Sequence, residues 1–433
     1  MKFTTIYGFS VNNYRKSEKY SIIRKTITEC SIMLSEVGNM YILYAKVEGI
    51  KNFENDTFEI DYTTNKRVSA EEVGGNVTRV KNSLYKLNTV AITGKNASGK
   101  TTALNIIKGI QDIYLNNESL TPDNSLVRYL KPTATIHVKI FDAAYIYSIQ
   151  SHVINSKDDV YFENEIINRL KVTSKFNKKI YDDDRNYESF LSRRALDTDY
   201  LKKEDSIFSG ILNQKEALNK SYDLIMHTNF NFLSYYSESM SEDMVKLLDS
   251  GIEEFTIHPD VHENDKMPKF KIKFKGIPEI IHSDLMDLED YLSSGTIRAL
   301  NIFGSIIRVL HTGGYLIIDE IENHLNKRII QLIIEFFTGE LNVNGATLIF
   351  STHYVEVLDT IDRSDAIYVT QKKPKSDIHR FSDLLGDKDR NDKKKSDLFL
   401  SGIIDTMPTY QSYRGTKNII AALLQKGDAH EKN

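Results

Sequence analysis

The chain has 433 residues, 40% hydrophobic and 27% charged, with a formal net charge of −4. That length allows two or three lobes, and the charge balance excludes a surface coated for nucleic acid while leaving room for a local basic groove. The single cysteine, Cys30, excludes a disulfide framework and a cysteine-rich zinc site; no run reaches membrane-helix length and no signal-type apolar core opens the chain, so a cytoplasmic protein with no membrane partner is expected.

Residues 1–39 are polar and weakly periodic and read as an N-terminal extension. From Met40, MYILYAKVEGIKNFENDTFEIDY reads as a strand, a polar turn and a second strand at 57–62. Residues 63–85 read as a polar connection, and a strand at 87–93 runs into the turn of VAITGKNASGKTTALNII. In the helix that follows, Ala103, Leu104, Ile106, Ile107 and Ile110 share one face. TATIHVKIF, AYIYSIQSHVI and DVYFENEII, within 131–165, alternate and are rich in β-branched and aromatic residues, which predicts antiparallel strands. Residues 166–250 are charged and mostly helical in pattern; no heptad persists, so they read as an insertion and not as a coiled coil. KFKIKFKG at 269–276 alternates and begins another hairpin. From Tyr291 the pattern becomes α/β, with a helix after Gly295, a continuously apolar strand at 315–318, a helix at 327–337 and strands at 347–350 and 366–369. A lysine-rich loop, DKDRNDKKKSD, occupies 387–397.

The spacing from Gly94 to Thr101 is G-x-x-x-x-G-K-T, between a strand and a helix. A loop closing on a helix N-terminus points free backbone N–H groups and a positive dipole end at a phosphate chain. Gly94 and Gly99 allow the close turn, Lys100 can reach the β- and γ-phosphates, and Thr101 can offer a hydroxyl to Mg²⁺, an ion that prefers oxygen ligands. A glycine turn before a core helix is the plainer use of the same residues, but it does not call for this spacing.

Three further segments carry chemistry. YLIIDEIENHLN delivers Asp319 and Glu320 to the C-terminal end of an apolar strand, where α/β sheets place ligands. Asp319 fits a Mg²⁺-holding carboxylate and Glu320 a general base for water, against the simpler reading of acidic helix caps. STHYVEVLD puts His353 just past another strand, a place from which to contact a γ-phosphate or merely to cap. LSSGTIRAL puts Ser293 and Gly295 before a helix, either as an anion site or as an ordinary N-cap and turn.

The order of these segments resembles the ABC-type ATPase superfamily in its SMC-like branch, over roughly 40–115 and 290–370. GKNASGKT, LSSGT, DEIENHL and STH look most like the AAA-family ATPases of bacterial anti-phage and abortive-infection systems, including the OLD type, with a softer similarity in RNDKKKSDLFLSGIIDTMPTY. The resemblance implies an α/β P-loop NTPase of ABC/SMC-head type: a mixed central sheet with an antiparallel β lobe and a helical insertion. It implies ATP bound with Mg²⁺ between two heads of a homodimer. Gly94, Lys95, Asn96, Ala97, Ser98, Gly99, Lys100, Thr101 and Thr102 would form the phosphate loop; Thr101 and Asp319 would hold the metal; Glu320 and His353 would be catalytic. Ser293 and Gly295 would complete the partner's site, and Asn323 and His324 would lie at the dimer contact. Ser294 and Thr296 depart from the transporter-type signature, and Gln150 is a weak candidate for the Q-loop glutamine.

The expected division is an extension at 1–39, ATPase halves at 40–130 and 291–370, a β lobe and insertion at 131–290, and a tail at 371–433. The function so implied is an ATPase that gates an effector or a DNA contact in phage defence. The alternatives are a DNA-repair or chromosome-maintenance ATPase, whose coiled-coil arms the interval from Lys100 to Ser293 cannot hold, and a transporter's ATP-binding subunit, which would lack the insertions. A built-in nuclease finds no convincing carboxylate cluster: Asp182, Asp183 and Asp184 read as a solvated loop, and His258 and His262 flank Pro259 in a weak metal pattern. A nuclease or other effector is therefore expected as a separate protein. Lys372, Lys373, Lys375, Lys393, Lys394 and Lys395 offer a basic patch for DNA, or simply solvated loops.

Overall fold

The computed structural model describes residues 40–157, 159–196, 201–215, 220–226, 242–258, 269–386, 389, 393–401 and 414–420. In chain order its main elements are β1 (Tyr41–Ile50), β2 (Thr57–Asp61), β3 (Val77–Lys81), β4 (Leu84–Leu87), β5 (Thr89–Gly94) and α1 (Lys100–Tyr114). Next come β6 (Leu130–Phe141), β7 (Tyr145–Asn155), β8 (Val160–Lys171), β9 (Glu188–Ser192), β10 (Ser221–Leu224), β11 (Ile252–His258), β12 (Lys269–Phe274) and β13 (Ile280–Asp284). The last part holds α2 (Ser294–Thr312), β14 (Tyr315–Ile318), α3 (Lys327–Thr338), β15 (Thr347–Thr352), β16 (Ile367–Lys372) and β17 (Ser376–Arg380).

Two six-stranded sheets organise the chain. One runs β10-β14-β15-β5-β16-β17 and is parallel except for its edge strand β17. Its strands β5, β14 and β15 are buried at every position, as parallel strands covered on both faces must be. The other sheet, β2-β1-β6-β7-β8-β9, is antiparallel throughout, and β6 and β7 alternate buried with mostly half-buried positions over part of their length. The fold is thus a mixed α/β arrangement of several sheets, as the sequence pattern implies.

Helix α1 explains how the sheets join. It is buried on nearly all sides, which a helix with one apolar stripe would not be. The Tyr114 hydroxyl meets that of Ser151 on β7 at 2.8 Å, and Gln111 accepts a hydrogen bond from Ser221 on β10, so α1 lies between the two sheets. Tyr315 on β14 donates to the carbonyl of Ile42 on β1 at 3.1 Å, and residues of both sheets form one continuous apolar core. A smaller core under β11-β12-β13 joins Phe255, Phe270 and Ile272 to Ile297 and Leu300 of α2.

Several expectations change. The stretch read as a polar connection contains the β3–β4 hairpin. KFKIKFKG begins a hairpin with β13, as expected, and is also the central strand of a three-stranded sheet that includes β11. The segment 166–250 is not mostly helical among its described residues: β8 extends to Lys171, β9 and β10 follow, and the helices at Lys178–Asp182, Ser209–Lys215 and Glu242–Leu248 are short. Strand β10, SYDL, has no periodicity of its own and is set by parallel pairing with β14. Cys30 and the rest of 1–39, Pro259, His262 and, in the lysine-rich loop, residues 387, 388 and 390–392 lie outside the described residues.

Candidate functional site

The register Thr352↔Thr93 and Ile318↔Phe350 brings the C-terminal ends of β5, β14 and β15 to one edge of the sheet. Gly94 leaves that edge with φ +153°, Ala97 has φ +60° and Gly99 has φ +110°. A Cβ at Gly94 would lie 2.3 Å from the carbonyl oxygen of Thr370, and one at Gly99 would lie 2.8 Å from Ser376 Oγ. The loop needs glycine at both places for conformation and for space. Its 15-residue helix α1 begins at Lys100, so the unpaired N–H groups of the first turn face the loop. Lys100 Nζ donates to the carbonyls of Gly94 at 2.9 Å and Lys95 at 3.0 Å. Burial lowers the Lys100 pKa from its ordinary value, with Asp319, Glu320 and Glu322 pulling the other way. Ser98 is 1% exposed and its hydroxyl meets Thr370 Oγ1 at 2.5 Å, so its side chain braces the loop against β16.

Thr101 Oγ1 donates to Asp319 Oδ2 at 2.7 Å, and Ser351 Oγ donates to Asp319 Oδ1. Two oxygen groups therefore already stand together, the donor chemistry that fits Mg²⁺, whose remaining ligands are commonly waters and phosphate oxygens. No group of three or more His, Cys, Asp or Glu capable of holding a metal exists among the described residues. Glu320 has φ +47°, its N–H donates to Ser351 Oγ at 2.8 Å, and its carboxylate lies 3.1 Å from His353 Nε2 and receives a hydrogen bond from Asn323. The hydrogen bond from His353, then that from Asn323, holds the Glu320 carboxyl below its ordinary pKa. Glu322 accepts from the backbone N–H of His353, which fixes the turn that presents the imidazole.

Ser293 is the N-cap of α2, accepting from the Thr296 N–H at 3.1 Å. Gly295 passes so close to the His324 carbonyl that a Cβ would lie 2.4 Å from it, and Ser294 Oγ stands 3.3 Å from His324 Nδ1. Arg298, buried on α2, donates from Nη2 to the carbonyls of Asp319 at 2.8 Å and Glu320 at 2.9 Å. It ties the helix that begins with the serine–glycine segment to the acidic strand end. Nothing in its sequence context marks it beyond its helical position after LSSGT.

A cavity of about 500 Å³ is lined by Asn96, Ala97, Gly99, Lys100, Thr101, Thr102, Glu320 and His353. Asn52, Lys372, Pro374, Lys375 and Ser376 complete its lining, and sequence reasoning missed their place here. Lys372 and Lys375, read as part of a basic patch, stand on this rim. Neither Ser293 nor Gly295 lines the cavity. Gln150 does not either: it sits on β7 beside a separate polar hollow with His137, Ser148 and Asn168. Asp182, Asp183 and Asp184 are each ion-paired, to Lys178, Arg185 and Lys139 respectively.

A protein-family model described as "AAA domain, putative AbiEii toxin, Type IV TA system" matches residues 140–359, just over half of the chain; the glycine loop precedes the matched span. No curated protein matches the chain. Among solved structures, an SMC head bound to the C-winged helix domain of ScpA aligns at 13% identity and TM-score 0.41, covering 78% of this chain and 97% of that one. The SMC head domain of Thermotoga maritima aligns at 14% identity and TM-score 0.36, covering 78% and 98%. An Smc head with coiled coil and joint from Pyrococcus yayanosii aligns at 10% identity and TM-score 0.39, covering 81% and 100%.

Proposed function

We propose that this chain, which belongs to the AAA-domain family just described, is a Mg²⁺-dependent ATPase that closes on ATP as a homodimer. The observation that carries the reading is the Thr101–Asp319 hydrogen bond of 2.7 Å, at the edge of a cavity that Thr101 lines together with Lys100, Glu320 and His353. Bound Mg²⁺ would neutralise phosphate charge. The chain's own groups do the rest. Backbone N–H groups of the loop and the Lys100 ammonium bind the phosphates. Glu320 takes the proton of the water that attacks the γ-phosphorus, the bond to the β-phosphate oxygen breaks, and ADP and phosphate result. His353 orients that carboxylate.

Ser293 and Gly295 stand away from the cavity of their own chain, which supports a composite site in which they face the partner's nucleotide. Such closure would exclude water and add donors where charge develops. The role in gating a separate effector, nuclease or DNA contact in phage defence extends the same reading. Calorimetry of ATP binding with and without Mg²⁺ tests it. Wild type should bind with Mg²⁺-enhanced affinity and Lys100→Ala should lose tight binding; equal binding by both would remove the loop from the account.

A further inference from the structure

On the reading of this cavity as an ATP site, we propose that Lys372 is a nucleotide-affinity residue that holds the phosphate nearest the nucleoside. Sheet order gives the direction. Glu320 follows β14 and His353 follows β15, whereas the β16–β17 hairpin lies on the other side of β5. With the hydrolytic pair at the γ-phosphate end, the remainder of the nucleotide extends toward the hairpin. Side-chain alternation then selects the residue. Thr370 on β16 points at the loop, meeting Ser98 Oγ and donating to the carbonyl of Thr93 at 3.2 Å. Lys372 is two residues further on, so it projects to the same side, and it lines the cavity.

Of the other two lysines of the lining, Lys100 belongs on that reading to the β- and γ-phosphate end, and Lys375 pairs with Asp56 at 3.0 Å, a carboxylate that also pairs with Lys131 at 2.5 Å. Lys372 is exposed and has no ion pair among the described residues. Its platform is fixed: the Ser376 N–H donates to the Asn52 carbonyl at 2.8 Å, and the hairpin is also tied to the β1–β2 turn through Lys375. The lining contains no Phe or Tyr on which a base could stack, so affinity leans on contacts with phosphate.

Calorimetry with ATP and with ADP, each with Mg²⁺, on wild type, Lys372→Gln and Lys100→Ala tests this. Lys372→Gln should weaken ATP and ADP by the same factor, about tenfold, the scale of one charge-assisted contact. Unchanged binding of both nucleotides, or a loss confined to ATP, overturns the assignment while leaving the loop in place. Unaltered binding by Lys100→Ala would instead overturn the underlying ATP-site reading.

Discussion

His353 Nε2 stands 3.1 Å from one carboxylate oxygen of Glu320, and Asn323 Nδ2 donates to the other. The backbone is pinned as well: the Glu320 N–H reaches Ser351 Oγ, and its carbonyl receives Arg298. A left-handed φ of +47° at a glutamate is costly and persists only where the surroundings over-determine it. Here they aim the carboxylate into the cavity and keep it ionised.

Arg298→Met should destabilise the protein by roughly 2–5 kcal/mol, because two carbonyls lose a charged donor in a buried place. It should also detach α2 from the end of β14. Urea unfolding reads the first effect. A loss below about 0.5 kcal/mol, the usual size of a surface change, would show that Arg298 is dispensable there.

Lys86 on β4 is fully buried, donates to the Gly345 carbonyl at 2.9 Å and to the Thr347 hydroxyl, and lies 4.8 Å from the Tyr41 ring centroid. Burial pushes its pKa down to about 7 from 10.5. Between these values the unfolded chain binds more protons than the folded one, so this residue makes stability rise with pH over that window. Lys86→Met should flatten the rise. Unfolding of both proteins at pH 7 and pH 9 decides it: identical pH dependence would mean that Lys86 does not titrate there.

Ser293→Arg should block ATP-driven dimerisation by bulk. It also removes an N-cap worth about 1 kcal/mol, so retention of the fold is checked by circular dichroism. Mixing Lys100→Ala chains with Ser293→Arg chains should restore some hydrolysis, because each mixed dimer gathers both lesions in one site and leaves the other intact. No recovery in a mixture shown to contain heterodimers would leave LSSGT as a helix cap alone.

The parallel sheet was legible because β5, β14 and β15 are short, largely apolar runs, a pattern that burial on both faces dictates. Strand β10 was not, since SYDL gains its conformation from a neighbour distant in sequence. At the site, loop spacing and strand ends pointed to Lys100, Thr101, Asp319, Glu320 and His353, which the fold brings together. Spacing could not show that Ser98 would turn toward Thr370, that Arg298 would reach back to the acidic strand, or that Lys372 would share the cavity. Those placements come from sheet order, which local pattern does not encode. Gln150 is only a weak candidate for the Q-loop glutamine by sequence, and pairing within the antiparallel sheet puts it beside a different hollow.

The central claim is that Glu320 acts as the general base of an ATP hydrolase, and single-turnover hydrolysis by Glu320→Gln tests it most directly. With ATP binding confirmed by calorimetry, the account expects turnover slowed by roughly 10²–10⁴-fold. A loss of less than about tenfold with binding intact would contradict it and make Glu320 a residue of the fold only.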